Sequence, residues 1–326
     1  MAEVNLVEAV NQALARAMAD DDSVVVLGED VGVNGGVFRA TVGLQERFGA
    51  SRVMDTPLAE SLIAGMSIGM AAMGLKPVAE IQFMGFIYPT LDQLVCHASR
   101  LRNRTRGRLC CPMVLRAPFG GGIHAPEHHS ESTEAMFAHV PGLRVVVPSA
   151  PSRAYGLLLA AIRDPDPVIF LEPMRIYRLL RQNVDDDGAE LPLDVCFSLR
   201  QGSDVTLVTW GAMVHETLQA ADALEAQGIS VEVIDVATLK PLDMETILAS
   251  VEKTGRCVIV HEAARTAGMG AEIAAQLSEE GLLSLMAPVR RVTGYDTIMP
   301  LPRGEHHYMP SVEKILESVK EVLEYS

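Results

Sequence analysis

The chain has few cysteines, and none is spaced to work with another. Cys96, Cys110, Cys111, Cys196 and Cys257 are odd in number and scattered, and no CxxC pair occurs. That excludes a disulfide framework and fits reduced thiols in a cytosolic-type compartment. Cys110 and Cys111 fall in a strand-like run and read as core. Basic charge is also scarce: 27 Lys and Arg stand against 42 Asp and Glu, a net charge of −15. Such a surface repels phosphate backbones, which excludes nucleic acid as the main partner and suits a basic protein partner. A membrane-spanning run is missing too. The nearest, LAESLIAGMSIGMAAMGL, carries Glu60 and several glycines. The start, MAEVNLVEAV, has neither the basic residues nor the apolar core of a signal peptide. A cytoplasmic location is therefore expected. Neither a Walker loop nor HExxH is found.

What is present is apolar and regularly patterned. The 326 residues are 48% hydrophobic and 21% charged, enough for a large core and a prior of two domains. Helical and β-branched segments alternate. VVVLG, KPVAEIQF, PMVLRAP, LRVVVPS and PVIFLEP read as strands, with helices between them at Val4–Ala19, after Glu60, over YPTLDQLVCHASRLRNR, at ESTEAMFAHV and over SRAYGLLLAAIRD. A second block follows: DVTLVTW, HETLQAADALEAQG, SVEVIDVATL, DMETILASVEKTG, RCVIVHE, AEIAAQLSEEG, PVRRVTG and a final helix, SVEKILESVKEVLEYS. This predicts an α/β protein of two domains, each with a mostly parallel sheet flanked by helices. The expected bounds are 1–180, a polar linker 181–203, and 204–326. The acid run Asp185–Asp187 reads as solvated linker.

Glu60 is the most informative residue. It is the only ionisable side chain between Leu58 and Leu75. It heads an apolar run short enough for one buried helix, where lost hydration would raise a carboxyl pKa and suit it to proton chemistry. A first-turn glutamate favoured by the helix dipole is the plainer reading. Gly65-x-Ser67-x-Gly69 imitates a nucleophile elbow, but Ser67 falls inside the helix. The two glycines instead suit close packing against another helix. Gly268-Met269-Gly270 imitates a dinucleotide loop but lacks the third glycine. His124, His128 and His129 cluster in GGGIHAPEHHSES. Three imidazoles fit zinc, or a glycine-tuned loop that presents a proton-exchanging group to a substrate.

GEDVG, GGVFRAT, DTPLAES, KPVAEIQF, PTLDQ, GGGIHAPEHHSES, DPVIFLEP, IDVATLKPLD, HEA and RVTGYDT, taken in order, span nearly the whole chain. Together they resemble the beta subunit of the thiamine-diphosphate-dependent decarboxylating component of 2-oxo acid dehydrogenases, a transketolase-like family. The resemblance implies a pyrimidine-binding domain followed by a transketolase-type C-terminal domain. It implies an alpha subunit in an α2β2 heterotetramer, which holds the diphosphate and magnesium. In keeping, no Gly-Asp-Gly motif occurs here. The substrate would be a 2-oxo acid, branched-chain or pyruvate, with the HHSESTEAMFAH loop nearer the branched-chain type. The acyl group would pass to lipoyl on an acyltransferase core, which docks through a small basic domain.

By position, Glu60 matches the family's activating glutamate, which exchanges a proton with the aminopyrimidine. Phe86 matches the ring that stacks on it, and Gln82 and Leu58 match further pyrimidine-pocket positions. His129 matches the histidine near the reacting carbon, and His124 a second one. Glu29 and Asp92 resemble acids of a proton passage. Val114, Ala161, Asp164 and Asp166 fall where relatives hold potassium through backbone carbonyls. The acidic C-terminal block, with Glu279, Glu280, Asp296, Glu305 and Glu313, is expected to form the docking face. The alternatives are a transketolase-like transferase, which the short chain argues against, and a non-catalytic scaffold of the same fold.

Overall fold

The structure, a computed structural model, describes residues 3–325. The chain divides into two compact units, Met1–Phe119 with Met136–Leu193, and Gly120–Ala135 with Asp194–Ser326.

The first unit opens with α1 (Leu6–Asp20). Asn5 caps it: its Oδ1 accepts from Glu8 N at 3.0 Å, while Glu8 Oε2 accepts from Asn5 N at 2.8 Å. This reciprocal pair satisfies two backbone donors that a helix start leaves open. Then come β1 (Val24–Gly28), β2 (Val53–Asp55), α2 (Glu60–Ala72), β3 (Lys76–Glu80), α3 (Leu91–Cys96), β4 (Val114–Phe119), β5 (Arg144–Val146), α4 (Pro151–Arg163) and β6 (Val168–Pro173). The strands pair in parallel in the order β5-β6-β4-β3-β1-β2. Their Val, Ile and Leu side chains are buried, as continuous apolar strands covered by helices require. The apolar stripe of α1, including Val10, Leu14 and Ala17, packs with α4. Strand order reverses at β1. The chain leaves β1 for β2 on one side, then crosses back to β3 on the other. Neighbouring connections that depart in opposite directions open a crevice beyond the strands' carboxyl ends.

The second unit contains β7 (Phe197–Arg200), β8 (Val205–Thr209), α5 (Met213–Glu225), β9 (Val231–Asp235), α6 (Met244–Thr254), β10 (Cys257–Ala264), α7 (Met269–Glu280), β11 (Arg290–Gly294), α8 (Pro302–Tyr308) and α9 (Val312–Leu323). Its sheet runs β11-β10-β8-β9-β7, parallel except for β7. Both sheets agree with the α/β expectation. The polar stretch 181–203 holds Gln182–Asn183, paired with Glu3–Val4, and the start of β7.

Three local expectations need correction. The helix expected over Tyr88–Arg104 is broken near His97. Ser99 Oγ and Arg100 Nε both donate to Val95 O, at 3.0 and 2.9 Å, taking the carbonyl that the next helical amide would use. The Glu60 helix is not buried within this chain: Leu62 is 48% and Met73 85% exposed, and a Cβ on Gly69 would meet nothing. Cys110 and Cys111 precede β4 rather than lying in it, though Cys111 is buried. All five cysteines are free. No helix among the described residues is long and apolar enough to cross a membrane.

Candidate active site

In the first unit the expected residues gather at the carboxyl ends of β1, β2 and β3. Asp55, the last residue of β2, clamps the loop that follows β1: its Oδ1 accepts from Gly32 N at 2.6 Å and Oδ2 from Val33 N at 3.2 Å. A Cβ on Gly32 would come within 2.7 Å of Asp55 Oδ2, so only glycine admits this approach. The clamp sets the Glu29 loop against the Glu60 segment. Glu29 is buried, and burial first, then the charges of Glu60 and Asp30, push its carboxyl above the usual range. Glu29 Oε1 and Thr56 Oγ1 are buried with no hydrogen-bond partner. Buried polar atoms are nearly always satisfied, so these two oxygens are open to water or a ligand. Glu60 itself is half-buried at the start of α2, and a cavity of about 510 Å³ is lined by residues before and after it in the chain, among them Thr56, Pro57, Leu62 and Met66.

Beyond β3, Gln82 is half-buried and Phe86 closes a short turn, Met84–Phe86. Phe86 meets Phe83 edge-on at 5.8 Å, Phe83 meets Phe38 at 5.4 Å, and Phe38 meets Tyr177 at 5.1 Å. This aromatic ladder ends on a buried ionic cluster that sequence reasoning missed. Arg116 gives Nε and Nη2 to Glu172, at 2.6 and 3.0 Å, and Nη1 to Glu80 at 2.8 Å. Tyr177 Oη donates to Glu172 Oε2 at 2.6 Å. Burial opposes the charge on Arg116, but Glu172 and Glu80 outweigh it and hold the guanidinium firmly charged. A signal existed. Glu80, Arg116 and Glu172 each stand among apolar residues of a buried strand, and Glu80 and Arg116 are register partners.

The histidines lie in the second unit. His124 and His128 are exposed, and His129 closes a tight turn in which its amide donates to Pro126 O at 2.9 Å. Gly121 N donates to the buried Glu262 Oε2 at 2.8 Å. A Cβ on Gly120 would stand 2.7 Å from Glu262 Oε1, so the glycine run exists to let backbone reach carboxylate. Among the described residues no group of three or more His, Cys, Asp or Glu is placed to hold a metal ion, so the zinc reading of the cluster falls.

Two further buried groups went unforeseen. Glu134 is fully buried and accepts from Trp210 Nε1 at 3.3 Å, while its Oε2 has no partner. Burial raises its carboxyl to about 7. His261 stacks on Trp210 at 5.0 Å, with neither ring nitrogen bonded, and burial lowers it to about 3. A Cβ on Gly270 would approach His261 Nε2 to 2.7 Å, so the Gly268–Gly270 pair makes room for an imidazole rather than a dinucleotide. Ser67 is buried and donates to Ile63 O at 2.8 Å, which fits a helix residue and no nucleophile.

The remaining residues are spread out. Leu58 and Asp92 are exposed, Asp92 on α3. Asp164 and Asp166 turn their carboxylates to Arg144 and Arg102, at 3.0 and 2.7 Å. A cavity of about 820 Å³ lies on the Asp166 side, lined by Arg100, Arg102, Arg106 and Arg144. It is larger than the one near Glu60, but it brings together none of the expected proton-exchanging residues. Ala161 sits in the last turn of α4, where carbonyls lack helical partners and can face a cation, and Val114 opens β4. Of the acids expected on a docking face, Glu305 is buried at 2% exposure and drops out. Asp296 is engaged by Thr266, N at 2.8 Å and Oγ1 at 2.7 Å.

Residues 2–178 match the transketolase pyrimidine-binding domain, and residues 197–315 the transketolase C-terminal domain. The chain is 52% identical over 322 residues to the pyruvate dehydrogenase E1 component subunit beta of Acholeplasma laidlawii, covering 99% of this chain and 98% of that one. It is 49% identical over 325 residues to the same subunit of Bacillus subtilis (strain 168), covering 100% of both. Among solved structures it resembles a split gene transketolase, described as an inactive beta4 tetramer, with a TM-score of 0.77, 24% identity and 99% coverage of both chains. That likeness concerns the fold.

Proposed function

Because the chain belongs to the family of E1 beta subunits of 2-oxo acid dehydrogenases, we propose that, with an alpha-type chain, it decarboxylates pyruvate and passes the acyl group to lipoyl. Pyruvate is preferred over a branched-chain acid because the relatives at 52% and 49% identity bear pyruvate names. The observation that carries the reading is the Glu29–Glu60 pair at the strand-order reversal, with Glu29 Oε1 left unpartnered.

That orphan, with Thr56 Oγ1, fits a ring bearing amino and imine nitrogens, as thiamine diphosphate does. When bound, thiamine diphosphate supplies the nucleophilic carbon and the electron sink for decarboxylation. Glu60 moves a proton at its carboxyl oxygen, and Glu29 holds one ready beside it. Phe86 offers an aromatic face whose place is fixed by Phe83. Gln82 and Leu58 border the ring, and Asp92 extends the passage from Glu29. His129 and His124 exchange protons with substrate or the lipoyl sulfur. Magnesium and the diphosphate fall to the alpha chain, since no Gly-Asp-Gly occurs here. Potassium would sit on backbone carbonyls of Val114, Ala161, Asp164 and Asp166. The uncovered side of α2, with Gly69, Leu62 and Met73, suits a subunit contact in an α2β2 assembly in the cytoplasm. Glu279, Glu280, Glu313 and Asp296 remain for a basic acyltransferase domain.

The test is reconstitution with a chain that carries Gly-Asp-Gly. CO2 release from pyruvate should appear only in the mixture and exceed that from 3-methyl-2-oxobutanoate. Reversed preference makes the enzyme a branched-chain type. Transfer of ketol groups between sugars, with no CO2, makes it a transketolase. Absence of both activities and of cofactor binding makes it a scaffold.

A further inference from the structure

Three donors of the histidine loop converge on one buried carboxylate. Glu305, on α8, accepts from Gly122 N through Oε1 at 2.6 Å. Its Oε2 accepts from His124 N at 3.1 Å and lies 2.8 Å from His124 Nδ1. The His124 backbone has a φ of 58°, in the left-handed region that side chains with a Cβ seldom enter. Histidine is among the few side chains enriched there. The two bonds to one oxygen hold it in that conformation, with amide and ring turned to the same carboxylate. Gly122, at φ 83°, makes the bend that lets the first amide reach Oε1. The His124 side chain remains 72% exposed, while that of Glu305 is 3% exposed.

A carboxylate can only accept, so the ring nitrogen against it must carry the hydrogen. Nδ1–H then donates to Glu305, and Nε2 is the ring nitrogen left to exchange a proton. We propose that Glu305 is a positioning residue that fixes His124 as the Nδ1–H tautomer. The exposed Nε2 thereby becomes the atom that, once it has taken a proton from water, gives it to the oxo oxygen of the 2-oxo acid as that oxygen gains negative charge, and takes it back when the carbonyl re-forms. This rests on the function proposed above. Glu262 contributes differently: it holds the same loop at Gly121, three residues from His124, and so sets the loop's place without setting the tautomer.

Glu305→Gln keeps the volume of the side chain but offers a single acceptor oxygen to three donors. Ring-nitrogen NMR on the full chain, with His124 assigned by its loss in His124→Asn, reads the tautomer directly. The wild type is expected to show a protonated Nδ1 and a bare Nε2. Glu305→Gln should move the proton to Nε2, and Glu262→Gln should leave it on Nδ1. In enzyme reconstituted with the alpha-type chain, Glu305→Gln should lower kcat by roughly tenfold to a hundredfold with little change in KM. The same substitution made on His124→Ala should cost nothing more. A wild-type proton on Nε2, or an undiminished loss when His124 is already gone, overturns the proposal. The tautomer is read on the chain by itself, so it decides the role of Glu305 even where the reconstituted enzyme releases no CO2 and the function fails.

Discussion

Arg116 grips Glu172 with two parallel hydrogen bonds, Nε to Oε1 at 2.6 Å and Nη2 to Oε2 at 3.0 Å, where neither side chain is more than 1% exposed. Removing the cation strands two buried carboxylates. Arg116→Ala is therefore expected to destabilise the chain by about 3–5 kcal/mol, against near neutrality for an ion pair at the surface. Urea unfolding measures it. A loss under about 1 kcal/mol would mean that water or relaxation solvates Glu80 and Glu172 after all.

Glu134 should make stability fall with rising pH. Its folded carboxyl, at about 7, stands above the unfolded value near 4.5. The folded state therefore holds a proton that the unfolded state has released. The contribution is full below pH 4.5 and is lost as pH climbs through 7. Relative to Glu134→Gln, the wild type should lose roughly 3 kcal/mol across that window. Unfolding curves of both proteins at several pH values give the slope, and parallel curves would contradict it.

Glu60→Gln should leave the fold and assembly unchanged and cut turnover by roughly a hundredfold or more, because the amide cannot exchange a proton as the acid does. Size-exclusion and circular dichroism establish the first half, and CO2 release the second. Wild-type turnover would reduce Glu60 to a helix-start residue.

His129→Ala is expected to slow lipoyl-dependent acyl transfer more than decarboxylation followed with an artificial electron acceptor. The histidine lies in the glycine-rich loop that follows β4, apart in sequence from Glu60, Gln82 and Phe86. Equal and negligible losses in both assays would remove it from the chemistry.

The sheets and the helix that Glu60 heads were legible because their signals are local. Runs such as VVVLG and PVIFLEP can be buried only in covered strands, and a lone carboxyl before an apolar helix stands out by composition. The Arg116 cluster was half legible. The odd charge in each strand is visible, but its partner depends on register. The role of Glu305 was hidden. It sits in PRGEHHY, which has no apolar period to announce a helix, and lies 181 residues from the His124 amide it binds. An acid read as surface charge proved to be a buried anchor, because burial follows from packing that no short window contains. The exposure of α2 was likewise misread, since an apolar run does not say which chain will cover it.

Trp210 is the only tryptophan of the sequence. Its indole N–H is tied to Glu134 at 3.3 Å, on the segment that also bears the histidines, and its ring lies on His261 at 5.0 Å. Indole emission responds to both neighbours: a carboxyl that gains or loses its proton, and an imidazole face that quenches. The molecule thus contains an optical gauge that needs no label. Ionisation of Glu134 near neutral pH, or any ligand that draws its segment aside, changes the colour and brightness of one fluorophore. Movements of the histidine loop can then be timed in a stopped-flow cuvette against release of product.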